Sequence, residues 1–282
     1  MQVKLAAIIV TYHPDISQVE RNIASFCKDV ECLMLWDNSE CPVDFNPLKA
    51  HYPNLTLLHE GSNQGLPVAY NCAIKMATEK GCTHLMTMDQ DSTFEGFDEY
   101  RRGMEKVGSQ RSEVGIICCP VNHDIQESGY RETTVCQSGS IFSLEMLNRI
   151  GDFREDLFIG MVDAEMSLRA IEKGYKIYQL TGCNLIQHVG SGREVSLLRK
   201  KIQLSDYTPL RHYYDSRNRI LLWYEFPYDY SFKQKIHHFW SRVKLMMKIA
   251  LFEKKKTAKI GAILSGSWYG LLNRPKPYKK TH

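Results

Sequence analysis

The sequence lacks an apolar run long enough to cross a bilayer. Its longest late uncharged stretch, Ile260 to Asn273, has 14 residues, against about 20 for a transmembrane helix. A signal peptide is not expected: the opening MQVKLAAIIVTYHPD holds only a short apolar run and reads as a strand. Nine cysteines are present, an odd number with no C-x-x-C. Cys118 and Cys119 are adjacent, which is poor geometry for a mutual bridge. A disulfide framework is therefore not expected, and the thiols read as reduced, several of them in the core, in a cytoplasmic protein. No G-x-x-x-x-G-K-[ST] phosphate loop, internal repeat or low-complexity tract occurs.

What is present is ordinary in bulk and uneven in distribution. Over 282 residues, 43% are hydrophobic and 24% charged, as in a soluble globular chain. The formal net charge of +4 hides two halves of opposite sign. Arg199 to His282 hold 19 Lys/Arg and 5 Asp/Glu, whereas the first 198 residues hold 17 and 27. An acidic body with a basic tail implies an anionic partner for the tail.

Periodicity sets out the elements. LAAIIVTY (5–12) is a continuous apolar run, as in a buried parallel strand. A helical spacing follows at Ile16, Val19, Ile23 and Phe26. Strands are expected at 31–40, 54–61 and 83–91, and a helix at 66–81, stopped by Gly81. A further strand is expected at 113–121. TTVCQSGSIFSLEML reads as a strand running into a helix, and DAEMSLRAIEKGYKIYQL as a helix followed by a strand. This is an α/β layout with a mostly parallel sheet, and such sheets bind ligands at their strand C-termini. After about Pro227 the pattern turns helical and basic, so the expected division is 1–227 for the catalytic domain and 228–282 for an amphipathic extension.

Polar clusters fall at those strand ends. Asp37, in WDNSE, fits either a base-contacting carboxylate or an Asx turn. Gly61 and Gly65 bracket a loop that opens a helix, a place for a phosphate or a plain connection. Asp89 and Asp91, in MDQDS, repel each other unless water or a shared hard cation relieves them. Asp163 and Glu165 stand at a helix start, where acids are favoured in any case, and Asp163 is also a candidate general base. His188 ends a strand before a glycine-rich loop. Tyr214, Arg217 and Asn218, in RHYYDSRNR, fit diphosphate or sugar recognition or an ordinary interfacial helix.

Taken in order, Thr11-Tyr12, DNS, NQGLPVAYN, MDQDS, VDAEMSLR, HVG and YYDSRN resemble a family 2 inverting glycosyltransferase of the GT-A fold, closest to its rhamnosyltransferase-like branch. The resemblance covers roughly residues 3 to 224. It implies a nucleotide-sugar site of Thr11, Tyr12, Asp37, Asn63, Gly65, Asn71, Asp89 and Gln90, with Tyr214, Arg217 and Asn218 contributing late. It implies Mg²⁺ or Mn²⁺ on Asp91, with Asp89 beside it and His188 as a further ligand. Asp163 would be the base, with Glu165 as the fallback. Val162 departs from the usual Glu before that Asp. The donor implied is dTDP-rhamnose, with UDP-galactofuranose, UDP-glucose or UDP-galactose as alternatives, and the acceptor a polysaccharide or lipid-linked glycan.

Two other readings use fewer of these residues. DQDST fits the D-x-D-x-T loop of haloacid-dehalogenase-like phosphatases, and GDFRED their G-D-x-x-x-D, but the latter follows a helical pattern where that family has a strand. A non-catalytic nucleotide-sugar-binding protein would not need the full set of acids. The C-terminal pattern places Phe232, Ile236, Phe239, Val243, Met246, Met247 and Ala250 on one face, with Lys and Arg opposite. Such a helix either lies peripherally on the inner face of the cell membrane or packs on its own protein. No nucleic-acid-binding module is readable.

Overall fold

The computed structural model describes residues 3–111, 113–187, 193–197 and 200–273. In chain order β1 (Leu5–Thr11), α1 (Ile16–Ala24), β2 (Cys32–Asp37), α2 (Asn46–His51), β3 (Leu55–His59), α3 (Leu66–Glu79) and β4 (His84–Asp89) come first. Every residue of β1 and β2 is buried, which is why both read as unbroken apolar runs. Asp15 caps α1, its carboxylate accepting from the Ser17 N–H at 3.0 Å. Gly65, at φ +83°, turns the chain into α3, and Pro67 sits in the first turn, where no N–H is missed.

Next come β5 (Ser92–Glu95), α4 (Phe97–Gln110), β6 (Val114–Cys118), β7 (Tyr130–Thr133), β8 (Ile141–Ser143), α5 (Leu144–Ile150), α6 (Val162–Glu172), β9 (Lys176–Leu180) and β10 (Asn184–Gln187). β11 (Arg193–Leu197), β12 (Lys200–Leu204), α7 (Pro209–Glu225), α8 (Phe232–Phe252) and α9 (Lys256–Leu271) follow. The strand expected to run into a helix within residues 133–147 is β8, which leads directly into α5, while β7 ends at Thr133.

Eight strands form one sheet in the order β3-β2-β1-β4-β8-β6-β9-β7. Only β8 and β7 run against the other six. Thr11 pairs with Asp37, and Val10 with Asp89, so the polar ends of β1, β2 and β4 emerge along one edge. Helix α1, the turn after it and helix α4 bury Val19, Ile23, Phe26, Tyr100 and Met104 in the same core as Leu5, Ile9, Leu33 and Met86.

The chain divides into two compact units, Met1–Glu155 with Met166–His188, and Asp156–Glu165 with Val189–His282. Helix α7 belongs with the C-terminal helices, because α9 packs on it through Ala262, Gly266 and Gly270, one small residue per turn. A Cβ on Gly266 would run into the Tyr213 carbonyl, and one on Gly270 would lie 2.8 Å from the Arg217 carbonyl oxygen. The backbones meet where side chains would hold them apart. The late helical pattern is also two helices, broken by Lys255 at φ +52°.

Polar groups are buried in this second unit as well. Lys259 donates to Asp206 at 2.6 Å and to Glu253 at 2.7 Å. Asp215 pairs with Arg242 and Arg219, whose charges outweigh burial and hold its carboxyl below the usual range. Burial pushes His212 down to about 4 and His238 down to about 3.

Two outcomes follow from this packing. Gly266→Ala should lower stability by about 1–3 kcal/mol through overpacking, read as a fall in Tm with unchanged far-UV circular dichroism at low temperature. The histidines are neutral when folded but take up protons below about 6.5 when unfolded. Stability should therefore be full above that pH and fall as pH drops toward 4, and His212→Asn with His238→Asn should flatten a Tm-against-pH profile in that window.

Candidate active site

The first unit builds a polar edge from loops that hold one another. Asp37 is 2% exposed. Its Oδ1 accepts from the Ser39 N–H at 3.0 Å, the Ser39 hydroxyl at 2.6 Å and the Thr11 hydroxyl at 3.3 Å. Its Oδ2 accepts from the Val43 N–H at 3.1 Å. The Asx-turn reading of this residue is thus realised, and Thr11 is spent on the same turn. A cavity of about 100 Å³ lies beside it, lined by Asp37, Val43, Phe45, Leu57 and His59 among others. That is smaller than the ~300–1,000 Å³ of a typical small-molecule pocket.

Asn38 ties this turn to the next loop. Its Oδ1 accepts from Trp36 Nε1 at 2.9 Å and from the Gln64 N–H at 3.0 Å, and its Nδ2 donates to the Gly65 carbonyl at 3.3 Å. Asn63 accepts from the Gly65 N–H at 2.9 Å, fixing the entry to α3. Asn71 was expected at a ligand. Instead it is buried, exchanging hydrogen bonds with the Phe153 backbone at 2.9 Å each way and donating to Glu155 at 3.0 Å. A carboxamide that matches a backbone N–H and C=O has no polar edge left over.

The two acids of the opening motif behave differently. The Asp89 N–H donates to Ser138 Oγ at 2.9 Å, its carbonyl accepts from Asn22 Nδ2 at 2.7 Å, and its Oδ2 accepts from Gln187 Nε2 at 2.7 Å. Gln187 is itself held by Asn122, through reciprocal amide–backbone hydrogen bonds of 3.0 Å. Asp91 is half-buried, and its carboxylate accepts no hydrogen bond from the described residues. Between them, Gln90 accepts from the Tyr12 N–H at 2.7 Å and donates to the Tyr12 carbonyl at 3.3 Å, while the Tyr12 ring stays 41% exposed. Sequence reasoning missed Asn22, Asn38, Asn122, Ser138 and Gln187, because a lone amide or hydroxyl carries no pattern of its own.

Two carboxylates at this spacing are the hard-oxygen donors that Mg²⁺ or Mn²⁺ takes, with waters and a substrate's phosphates supplying the rest. The donor set fits such a cation. No cluster of three or more His, Cys, Asp or Glu forms among the described residues. His188, expected as a further ligand, lies outside them.

The second unit carries Asp163 and Glu165 at the start of α6. Asp163 is half-buried, whereas Glu165 is 2% exposed. The segment before it is bent. Phe158, Gly160 and Met161 all have φ near +60° to +76°, a costly conformation for the two non-glycine residues. Asn218 holds it: its Nδ2 donates to the carbonyls of Leu157, Ile159 and Gly160 at 2.8, 3.1 and 2.9 Å. Arg217 is fully buried, donating to Asn218 Oδ1 at 2.7 Å and to the Asp156 carbonyl. Its guanidinium lies over the Tyr214 ring at 4.6 Å, and that ring stacks on Phe158 at 4.8 Å.

Tyr214, Arg217 and Asn218, expected at the donor, brace the chain before α6. The physical reason is the strained turn, whose carbonyls need buried donors. Arg169, in the other unit, plays a similar part, donating to the carbonyls of Ile150, Gly151 and Asp152 at 2.8–3.0 Å where α5 ends.

Residues 7–132 match the family described as Glycosyl transferase family 2. The chain is 23% identical over 244 residues to the dTDP-rhamnosyl transferase RfbF of Shigella flexneri, which spans 79% of this chain and 80% of that protein. Among solved structures it is similar to GalNAc-T7 with UDP, GalNAc and Mn²⁺ (TM-score 0.56, 12% identity) and to S. aureus TarS (TM-score 0.53, 15% identity). Those matches cover 66% and 78% of this chain, which spans 43% and 39% of theirs.

Replacing Asn218 by Ala should free the three carbonyls it binds, at a cost of about 1–3 kcal/mol. Hydrogen exchange should then quicken at residues 158–163 more than in β1 or β4.

Proposed function

We infer that this chain, a glycosyltransferase of family 2 by residues 7–132, transfers rhamnose from dTDP-rhamnose to a growing surface polysaccharide on a lipid carrier. The donor rests on the similarity to the rhamnosyl transferase of Shigella flexneri, which extends over most of both chains. The acceptor would be met at the inner, cytoplasmic face of the membrane. A donor carrying UDP in place of dTDP is the alternative, and the base contact at the edge of β2 would decide between them.

The observation that carries the reading is the turn after β4, with Asp89 held on three sides and Asp91 left to accept a ligand. Asp91, with Asp89 beside it, would hold Mg²⁺ or Mn²⁺. When bound, the cation offsets the negative charge that develops on the departing diphosphate. Asp37, with Thr11 and Ser39 fixing its orientation, forms the floor at the base, and the exposed Tyr12 ring lies next along the same strand. Gln90, pinned to the Tyr12 backbone, keeps that strand end and the D-x-D turn together. The loop 61–65, locked by Asn38, opens α3, whose N-terminus suits a phosphate.

Transfer by single displacement, with inversion at the anomeric carbon, needs a base to take the proton of the acceptor hydroxyl. Asp163 suits that role, because it is reachable at the start of α6 on a segment braced by Asn218. Glu165 suits it less, being buried. No nucleophilic Ser or Cys is required, in keeping with the buried thiols at Cys118, Cys119, Cys136 and Cys183.

Calorimetric titration with dTDP, UDP and GDP, each with and without Mn²⁺, tests the donor and the metal together. The expected result is binding of dTDP that depends on Mn²⁺ and is lost in Asp91→Ala. Asp163→Asn should bind the nucleotide as the parent does yet lose transfer by about 10²-fold or more. Near-parental turnover by Asp163→Asn would overturn the base assignment, and no binding of any nucleotide would overturn the whole reading.

A further inference from the structure

Helix α8 does not fold with its apolar face inward. Its inward contacts are made by His238 and Ile249, 8% and 0% exposed. Phe232, Ile236, Phe239, Trp240, Met247 and Leu251 point outward, with Phe232 76%, Phe239 59%, Trp240 56% and Leu251 64% exposed. At 100° per residue these six occupy a stripe about 120° wide, separate from the sector of His238 and Ile249. Helix α9 adds exposed Leu264, Trp268 and Leu271. Apolar surface of this kind is costly in water and marks a contact.

The charges around the stripe say what it contacts. Lys235 falls on one flank, and Lys233, Lys244 and Lys248 on the other. Lys254, Lys255 and Lys256 follow at the junction with α9, all exposed. The single acid between Phe232 and Leu271 is Glu253, which is 3% exposed and bound to Lys259 at 2.7 Å. Every exposed ionised group on the two helices is therefore positive. A second copy docked through this same face would bring like charges together. An anionic bilayer surface meets both features, taking the aromatic and aliphatic stripe among its acyl chains and the lysines at its headgroups. No helix among the described residues is long and apolar enough to cross a membrane, so α8 would lie in the plane of the surface.

We propose that α8, with α9 beside it, is a docking face for anionic phospholipid membranes. This deepens the proposed function at its acceptor side by naming the surface that brings the enzyme to a lipid-linked glycan, and it does not depend on the donor site. Lysines draw the helix to the headgroups over a distance set by salt. Phe239, Trp240 and their neighbours then hold it by burial of apolar area.

The test is co-sedimentation of the full chain with vesicles of phosphatidylcholine alone and of phosphatidylcholine mixed with phosphatidylglycerol. Binding is expected only to the mixed vesicles and should weaken as salt rises. F239E/W240E and K233E/K244E should each weaken it by about tenfold or more, with unchanged circular dichroism and unchanged nucleotide titration. Equal binding by the variants would overturn the proposal, as would equal binding to neutral vesicles. So would a concentration-dependent dimer that F239E/W240E dissolves without any vesicle binding, since the face would then belong to a second copy. Failure of the unmutated chain to bind mixed vesicles, with its nucleotide binding intact, would sink the docking face alone. Loss of nucleotide binding with vesicle binding intact would sink the donor site alone.

Discussion

Two carboxylates one residue apart repel each other, and the turn after β4 sustains them by treating them unequally. Asp89 is anchored at its N–H by Ser138, at its carbonyl by Asn22 and at its carboxylate by Gln187. These partners come from α1, from the 134–140 loop and from β10, so the sheet and its neighbours all converge on one residue. The anchoring sets the backbone direction at Gln90 and Asp91. A ligand-binding carboxylate works best when it is placed before its ligand arrives, because no reorganisation is then left for the binding step. Gln187 donates to the Asp89 carboxylate, which offsets part of its charge.

The same division between holding and meeting runs through the other motifs. Asp37, Asn38, Asn63 and Asn71 are short polar side chains whose hydrogen bonds go to their own chain, and they hold the shape of the β2 and β3 edge. Tyr214, Arg217 and Asn218 do this for the segment before α6, where three positive-φ residues would not persist without buried donors. Buried polar groups of this sort are high-stakes, since each is costly if its partner is lost. Tyr12, Asp91 and Asp163 keep exposed or half-exposed side chains. Much of each motif is thus frame, spent on holding its own chain.

The helical unit shows the converse arrangement. Its interior holds ion pairs and neutral histidines, while its outer face on α8 holds Phe, Trp and Met. Close approach of α9 to α7 at Gly266 and Gly270 makes this possible, because small residues let the two helices pack tightly without using the large side chains. Those large side chains are then left outside, ringed by lysine.

Much was legible before any coordinates. Unbroken apolar runs marked β1, β2 and β4 because strands buried on both faces need no alternation, and the acids and amides at their ends marked the ligand edge. Local pattern also located α1, α3 and α6 and the change to basic helices. Short α2 escaped notice, since a six-residue helix carries no readable period. Which side chain is spent on the fold was not legible either. Asn71 meets Phe153 across 82 positions, and Asn218 meets Leu157 across 61. The sequence by itself determined the α/β layout, the order of the acids and the sign of each half's charge, because these depend on neighbours along the chain. Only the tertiary structure decided that Asp89 is held while Asp91 is not, that the Tyr-Arg-Asn motif braces a turn, and that the apolar stripe of α8 faces out. Each of those depends on a partner that distant parts of the chain bring near, and no local pattern encodes it.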